Sequence, residues 1–293
     1  MRHSAIGRFA SLNVDIGCRR EQTVQRLADD FKDHVSSWSE LADLIEHFSF
    51  FSGYDWLFRG VTDATHGLVP KIGRKKTRAM KKDYITKTRS LVPYRIEDER
   101  AVISMFRQQA RAHLTFAPEN KLQWLAVAQH FGLPTRLLDW TDSLLVAAWF
   151  AVEKGGAKKM DSAIWVTKEV PSVEIEFSGD PLDLDSPKAY RPPHHVSPRI
   201  GAQASVLMIC PNPTQELSLP SARKIVIDRL AEFTIKKRLT ACGMNRRHLF
   251  PDLIGLSEHL TWMYKNDWLA AHRKGTGPEF RAISDDEPDE AVE

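Results

Sequence analysis

Cysteine is scarce in this chain: Cys18, Cys210 and Cys242 stand far apart among 293 residues. That spacing excludes a disulfide scaffold and any Cys-rich zinc module, and it fits a reducing cytoplasm. Long apolar runs are lacking as well. No stretch reaches the roughly eighteen consecutive apolar residues of a spanning helix, and the start, MRHSAIGRFASLNV, has no extended apolar segment. The chain is therefore expected to be neither secreted nor membrane-spanning. Net charge is low, +3 from 41 basic and 38 acidic residues, too even a balance to argue for nucleic acid from charge alone. Familiar catalytic signatures are missing too. There is no Gly-rich phosphate loop followed by Lys and Ser or Thr, no GxGxxG after a strand, and no GxSxG, HExxH or CxxC. No internal repeat is visible.

What is present suffices for a sizeable core: 42% of the residues are hydrophobic, and the length favours one large domain or one domain with a helical extension. The most informative stretch is Trp124 to Glu153, which reads helix, turn, strand, polar step and second helix. Trp124, Leu125, Val127 and Ala128 supply a helical apolar face, and Phe131-Gly132-Leu133-Pro134 stops it. Thr135 to Trp140 is short and largely apolar, as a buried strand would be. Thr141 or Asp142 can cap the helix that follows, Leu144 to Glu153. Caught inside these apolar runs are Gln129, His130, Thr135, Arg136, Asp139 and Thr141. Burying an Arg or Asp is costly unless it is paired, so Arg136 and Asp139 either pair internally and hold the turn or belong to a site.

Around this stretch the pattern predicts a leader with a short helix over 1–36, a domain over 37–268, and an acidic, disordered tail over 269–293. Ser37 or Ser39 caps a helix through Leu41, Leu44, Ile45 and Phe48, and Asp55 to Gly60 is a short strand ending in Arg59. An Arg followed by Gly at a strand end suits a loop opening onto a cleft where backbone approaches a ligand, although most such Arg side chains are simply solvated. Basic residues concentrate between Lys75 and Ser90, which reads as a solvated loop or as an arm for nucleic acid. Ile96 to Ala117 is a helix with Glu97, Asp98 and Glu99 in its first turn. Ser162 to Thr167 and Ala204 to Cys210 read as strands, with Gln203 at the entrance of the second, and residues 168–198 as an irregular excursion. Ile225 to Ile227 is a further strand, Phe233 to Ile235 a weaker one, Lys236 to Cys242 a short helix and Leu253 to Trp268 a last amphipathic helix. His194 and His195 are adjacent and so point apart on an extended chain, which gives no support for a metal site.

Three ordered motifs carry a resemblance. Leu57-Phe58-Arg59-Gly60, then Gln129 through Thr141 (QHFGLPTRLLDWT), then Phe250-Pro251-Asp252-Leu253 resemble the bacterial FRG domain family over about residues 37–262. Arg199-Ile200 and Gln203 resemble a further element. The layout is similar to that of ADP-ribosyltransferases, an analogy at the level of the fold. It implies an α+β fold with a mixed or antiparallel split sheet flanked by helices, and NAD bound as a substrate without a metal. Arg59, Thr141 and Gln203 would then be the catalytic set. Arg59, Gly60, His130, Arg136 and Trp140 would hold the nucleotide, with Arg59 on the pyrophosphate and Trp140 or Thr141 lining the nicotinamide pocket. Gln203 carries no charge, and Glu216 and Glu232 are carboxylates outside any motif. The activity so implied is that of an NAD-cleaving toxin or anti-phage effector, cytoplasmic, with an antitoxin or defence partner. The alternative is a non-catalytic nucleic-acid or nucleotide-binding module that uses Lys75 to Arg89.

Overall fold

The computed structural model describes residues 25–75, 80–82, 89–155, 159–174, 177–219 and 221–266. The first part of the expected leader and the acidic tail lie outside the described residues, as does much of the basic run between Lys75 and Ser90. Two compact units divide the chain, Met1–Met244 and Asn245–Glu293.

In the first unit, β1 (His34–Val35) leads into α1 (Trp38–Phe50). The Ser37 hydroxyl accepts from the Glu40 N–H, and the Glu40 carboxylate accepts from the Ser36 N–H at 2.7 Å, so two of the helix's first free donors are satisfied. Leu41, Leu44 and Phe48 form its buried stripe. Next come β2 (Leu57–Val61), the short strands β3 (Met80–Lys82) and β4 (Arg89–Leu91), and α2 (Ile96–Ala110). β3 and β4 pair antiparallel, where the composition had read as a loop. α3 (Lys121–His130), β5 (Leu137–Thr141) and α4 (Leu144–Ala151) follow in the predicted order, with Ser143 capping α4 in place of Thr141 or Asp142.

The chain then runs through β6 (Ser162–Thr167), β7 (Lys188–Tyr190), α5 (Pro198–Ala202), β8 (Ser205–Ile209), β9 (Arg223–Ile227) and α6 (Arg229–Ala241). α6 absorbs Phe233–Ile235. Ala231, Ile235 and Leu239 are buried at steps of four, so the helical period prevails over local β propensity in the aromatic and β-branched trio. The second unit holds α7 (Arg246–Leu249), capped by Asn245, and α8 (Leu253–Lys265), capped by Asp252. Among the described residues, no helix is long and apolar enough to cross a membrane.

Seven strands make one mixed sheet in the order β1-β9-β6-β2-β5-β8-β7, parallel only between β1 and β9. The pairings β2 with β6 and β5 with β8 each align five residue pairs, whereas β2 and β5 align at one, Phe58 with Thr141. The ladder therefore opens in the middle of the sheet.

Side chains alternate faces along a strand. Phe58 meets the Phe48 ring of α1, Gly60 lies beneath α4, and Leu137 packs with Leu122, Leu125 and Ala126 of α3, so this face is covered by helices. Leu57, Leu138, Trp140, Val206 and Met208 face the other way, where Leu68, Val170, Leu217 and Leu219 from loops cover them. α3 is buried from Leu122 through Ala128, which explains why its composition is apolar nearly all round.

Gly60 has a close-packing reason rather than the ligand-facing one its position suggested. A Cβ there would lie 2.0 Å from the Ala147 carbonyl oxygen and 2.6 Å from the Ala151 nitrogen, both backbone atoms of α4. Gly60→Ala is therefore expected to destabilise the protein by about 1–3 kcal/mol or more in urea unfolding. Gly53→Ala, with nothing within 4 Å, should stay within about 0.5 kcal/mol. Equal effects would contradict this packing.

Candidate functional site

Arg136 and Arg59 have opposite fates. The Arg136 side chain is 1% exposed and forms an ion pair with Glu99, itself buried on α2, at 2.8 Å. A guanidinium has five N–H donors. Nε of Arg136 reaches the Glu99 carboxylate, Nη1 the carbonyls of Leu182 and Pro211, and Nη2 the Tyr94 hydroxyl and Glu99 Oε2. Tyr94 in turn donates to Glu99 Oε2 at 2.5 Å. Burial alone would lower the Arg136 guanidinium, but the bonds and charge of Glu99 outweigh it and hold it above its ordinary value. Every donor is used, so Arg136 has none left for a nucleotide. The expected nucleotide-binding role does not fit this geometry, and the partner is Glu99 rather than Asp139.

Arg59 sits where the ladder opens. Its Nη1 donates to the Asp139 carbonyl at 2.5 Å, and the Asp139 carboxylate lies 3.9 Å away, too far for a hydrogen bond. No other acceptor is bonded to it among the described residues, although its side chain is only 14% exposed. Burial pushes this guanidinium below its ordinary value, the Asp139 charge opposes the shift, and Arg74 adds to it. Arg74, whose Nε is bonded to the Val69 carbonyl, has no ion pair of its own among the described residues. Arg59 thus feels a second guanidinium charge, from Arg74, and has one solvent-exposed carboxylate, Asp139, beside it. Such a donor-rich and acceptor-poor setting suits an anion.

The other expected residues divide between the two faces. Thr141 is 4% exposed. Its hydroxyl donates to the Gln203 carbonyl at 2.7 Å and accepts from the Ser143 N–H, so the structure brings Thr141 and Gln203 together through main chain. Gln203 closes α5 just before β8. Asp139 accepts from the Gln129 amide at 3.0 Å, and Thr135 donates to the other end of that amide. His130, the last residue of α3, stands with Nε2 3.3 Å from the Ser197 hydroxyl.

Trp140 is 2% exposed within the core cluster, so its ring offers no open face on which a base could stack. Its indole N–H and that of Trp165, opposite Arg59 on β6, have no acceptor among the described residues. Cys210 belongs to the same cluster, and burial pushes its thiol up to about 12 against the pull of Arg59 and Arg136. It stays neutral and is no nucleophile. Sequence reasoning passed over Arg74 and Glu99, and the only signal for either was a charged residue in a partly apolar setting.

With this geometry in hand, comparison with known proteins locates the chain. Residues 54–160 match the FRG domain family. That span contains β2 with Arg59, the Gln129–Thr141 segment and α4, and it stops short of Gln203 and Phe250–Leu253. No curated protein and no solved structure matches the chain.

Breaking a buried ion pair from one side leaves the other charge uncompensated. Arg136→Met and Glu99→Leu should each destabilise the protein by about 3–5 kcal/mol, and the double variant should recover a large part of that loss. Denaturant unfolding of the four proteins measures this, and strictly additive losses would contradict the pairing.

Proposed function

We propose that the opening around Arg59 binds the diphosphate of NAD, and that the chain cleaves NAD as an ADP-ribosyltransferase-like effector of the toxin or anti-phage kind. The carrying observation is that Arg59 has, among the described residues, one hydrogen bond for five donors in a largely buried position. Arg74 adds a second positive charge beside it. Cleavage breaks the bond between ribose C1′ and the nicotinamide nitrogen. The bonding pair leaves with nicotinamide, and positive charge develops on the ribose. Water or an acceptor then forms the new bond at C1′ and gives up its proton. The site must hold the diphosphate in place and present negative charge near C1′. Asp139 is the carboxylate beside Arg59 and takes that role in this reading, since Gln203 brings a neutral amide. Arg136, Gly60 and Trp140 support the site from within the fold, and no metal is required.

A second reading, a nucleotide-binding or nucleic-acid-binding module without turnover, is favoured by the neutral Gln203 where charge is wanted. A partner protein of the antitoxin or defence kind and a cytoplasmic location belong to the first reading.

The experiment is incubation of the purified protein with nicotinamide-labelled NAD, alone and with nucleic acid or lysate. The enzyme reading predicts nicotinamide release that falls by about 10²–10³-fold in Arg59→Ala and Asp139→Asn, with unchanged thermal midpoints. Saturable ADP-ribose binding that Arg59→Ala abolishes, with no release under any condition, would replace it by the second reading. Release undiminished in Arg59→Ala would sink the assignment of the site.

A further inference from the structure

Away from Arg59, a cavity of about 160 Å³ opens between α2, α3 and the turn Pro181–Asp183. Its floor is apolar, made of Ile103, Leu125, Pro181 and Leu182, and its rim carries Arg100, Arg107 and Lys121 with the Ser104 side chain and Asp180. The rim charges are not equivalent. Arg100 is bonded to Asp180 and Asp183 at 2.5 Å each, and Lys121 to Asp180 at 3.1 Å. Burial works against a charged Asp180, but the Leu182 N–H, Lys121 and Arg100 outweigh it and hold the carboxyl below its ordinary value. Those groups therefore form a fixed wall.

Arg107 is different. Its guanidinium lies 5.7 Å from the centre of the Trp124 ring, and among the described residues no carboxylate pairs with it. Three cations and one carboxylate line the cavity, so it is net positive. One positive charge, on Arg107, is left without a counterion beside an apolar floor.

We infer that this cavity is a second ligand site, and that it takes a small carboxylate with a compact apolar body. The volume sets the size, because an apolar cavity of about 150 Å³ accommodates a benzene ring. The apolar floor removes that body from water, and Arg107 supplies a charge-assisted bond to the carboxylate, with the Ser104 hydroxyl on the rim as a further donor. A cation would meet Arg100, Arg107 and Lys121, and a fully hydrated anion would gain nothing from Ile103, Leu125 and Leu182. None of the lining residues belongs to the Arg59 opening, so the inference does not depend on NAD.

Calorimetric titration of the intact protein with benzoate, benzyl alcohol, benzylamine and inorganic phosphate tests it at fixed ionic strength. Benzoate should saturate one site and bind at least about tenfold more tightly than the other three, tenfold being about 1.4 kcal/mol. Arg107→Gln should weaken benzoate by about tenfold or more. Ser104→Trp, which fills the cavity, should abolish binding, and Arg59→Ala should leave it unchanged, all with unaltered circular dichroism. Equal affinity for benzyl alcohol, benzylamine or phosphate overturns the inference, as do an isotherm indifferent to Arg107→Gln and an absence of saturation. If Ser104→Trp fails to fold, Arg107→Gln with the four probes still decides.

Discussion

The Glu99–Arg136 ion pair is the interaction on which the arrangement around β5 depends. It joins α2 to the residue that enters β5, and through Leu182 and Pro211 it ties down the turn within the long excursion and the segment that leaves β8. A buried pair of this kind is poor evidence for net stability, since desolvation offsets most of the attraction. Its effect is specificity: five donors meeting acceptors from three separate segments admit one placement of β5. With β5 so placed, the ladder to β2 closes at Phe58 and Thr141 and opens beyond it. Arg59 is then left against a lone carbonyl among the described residues.

Two arginines in similar apolar settings thus do different things, and the difference is one of hydrogen-bond count. Arg136 is complete, while Arg59, among the described residues, is not. An incompletely bonded guanidinium in a largely buried position is costly unless something else completes it. The neighbouring groups reinforce the point. Arg74 adds like charge, Cys210 is pushed to the neutral thiol, and the Trp140 and Trp165 indoles lack acceptors among the described residues. Donors outnumber acceptors throughout, the reverse of a cation site.

Much of the fold was legible in local patterning. β2, α3, β5, α4, β6 and β8 fall where apolar runs and capping residues put them, and the mixed sheet with helices agrees with the α+β expectation. Residues 54–160 match the FRG domain family, in keeping with the Arg59 and Gln129–Thr141 motifs. What local patterning missed depends on distant partners. Arg136 was correctly marked as expensive to bury, but Glu99 stands 37 positions away and no periodicity links the two. Gly60 was legible as a close approach, yet not that a helix backbone, rather than a ligand, approaches it. Phe233–Ile235 read as strand because its propensity is β, and the buried spacing that makes it helical emerges only with α6 seated. The Arg107 cavity could not be foreseen, since its walls come from three separated segments.

In the proposed site Arg59, and not Arg136, is the arginine open to an anionic ligand. The most direct measurement is titration of protein carrying 15N-labelled arginine with ADP-ribose, following the Nε–Hε resonances by NMR, with Arg59→Lys and Arg136→Lys identifying the two signals. The account predicts a saturable shift of the Arg59 resonance and an Arg136 resonance that stays where it was, slow to exchange with solvent. A shift at Arg136 with none at Arg59 would contradict it.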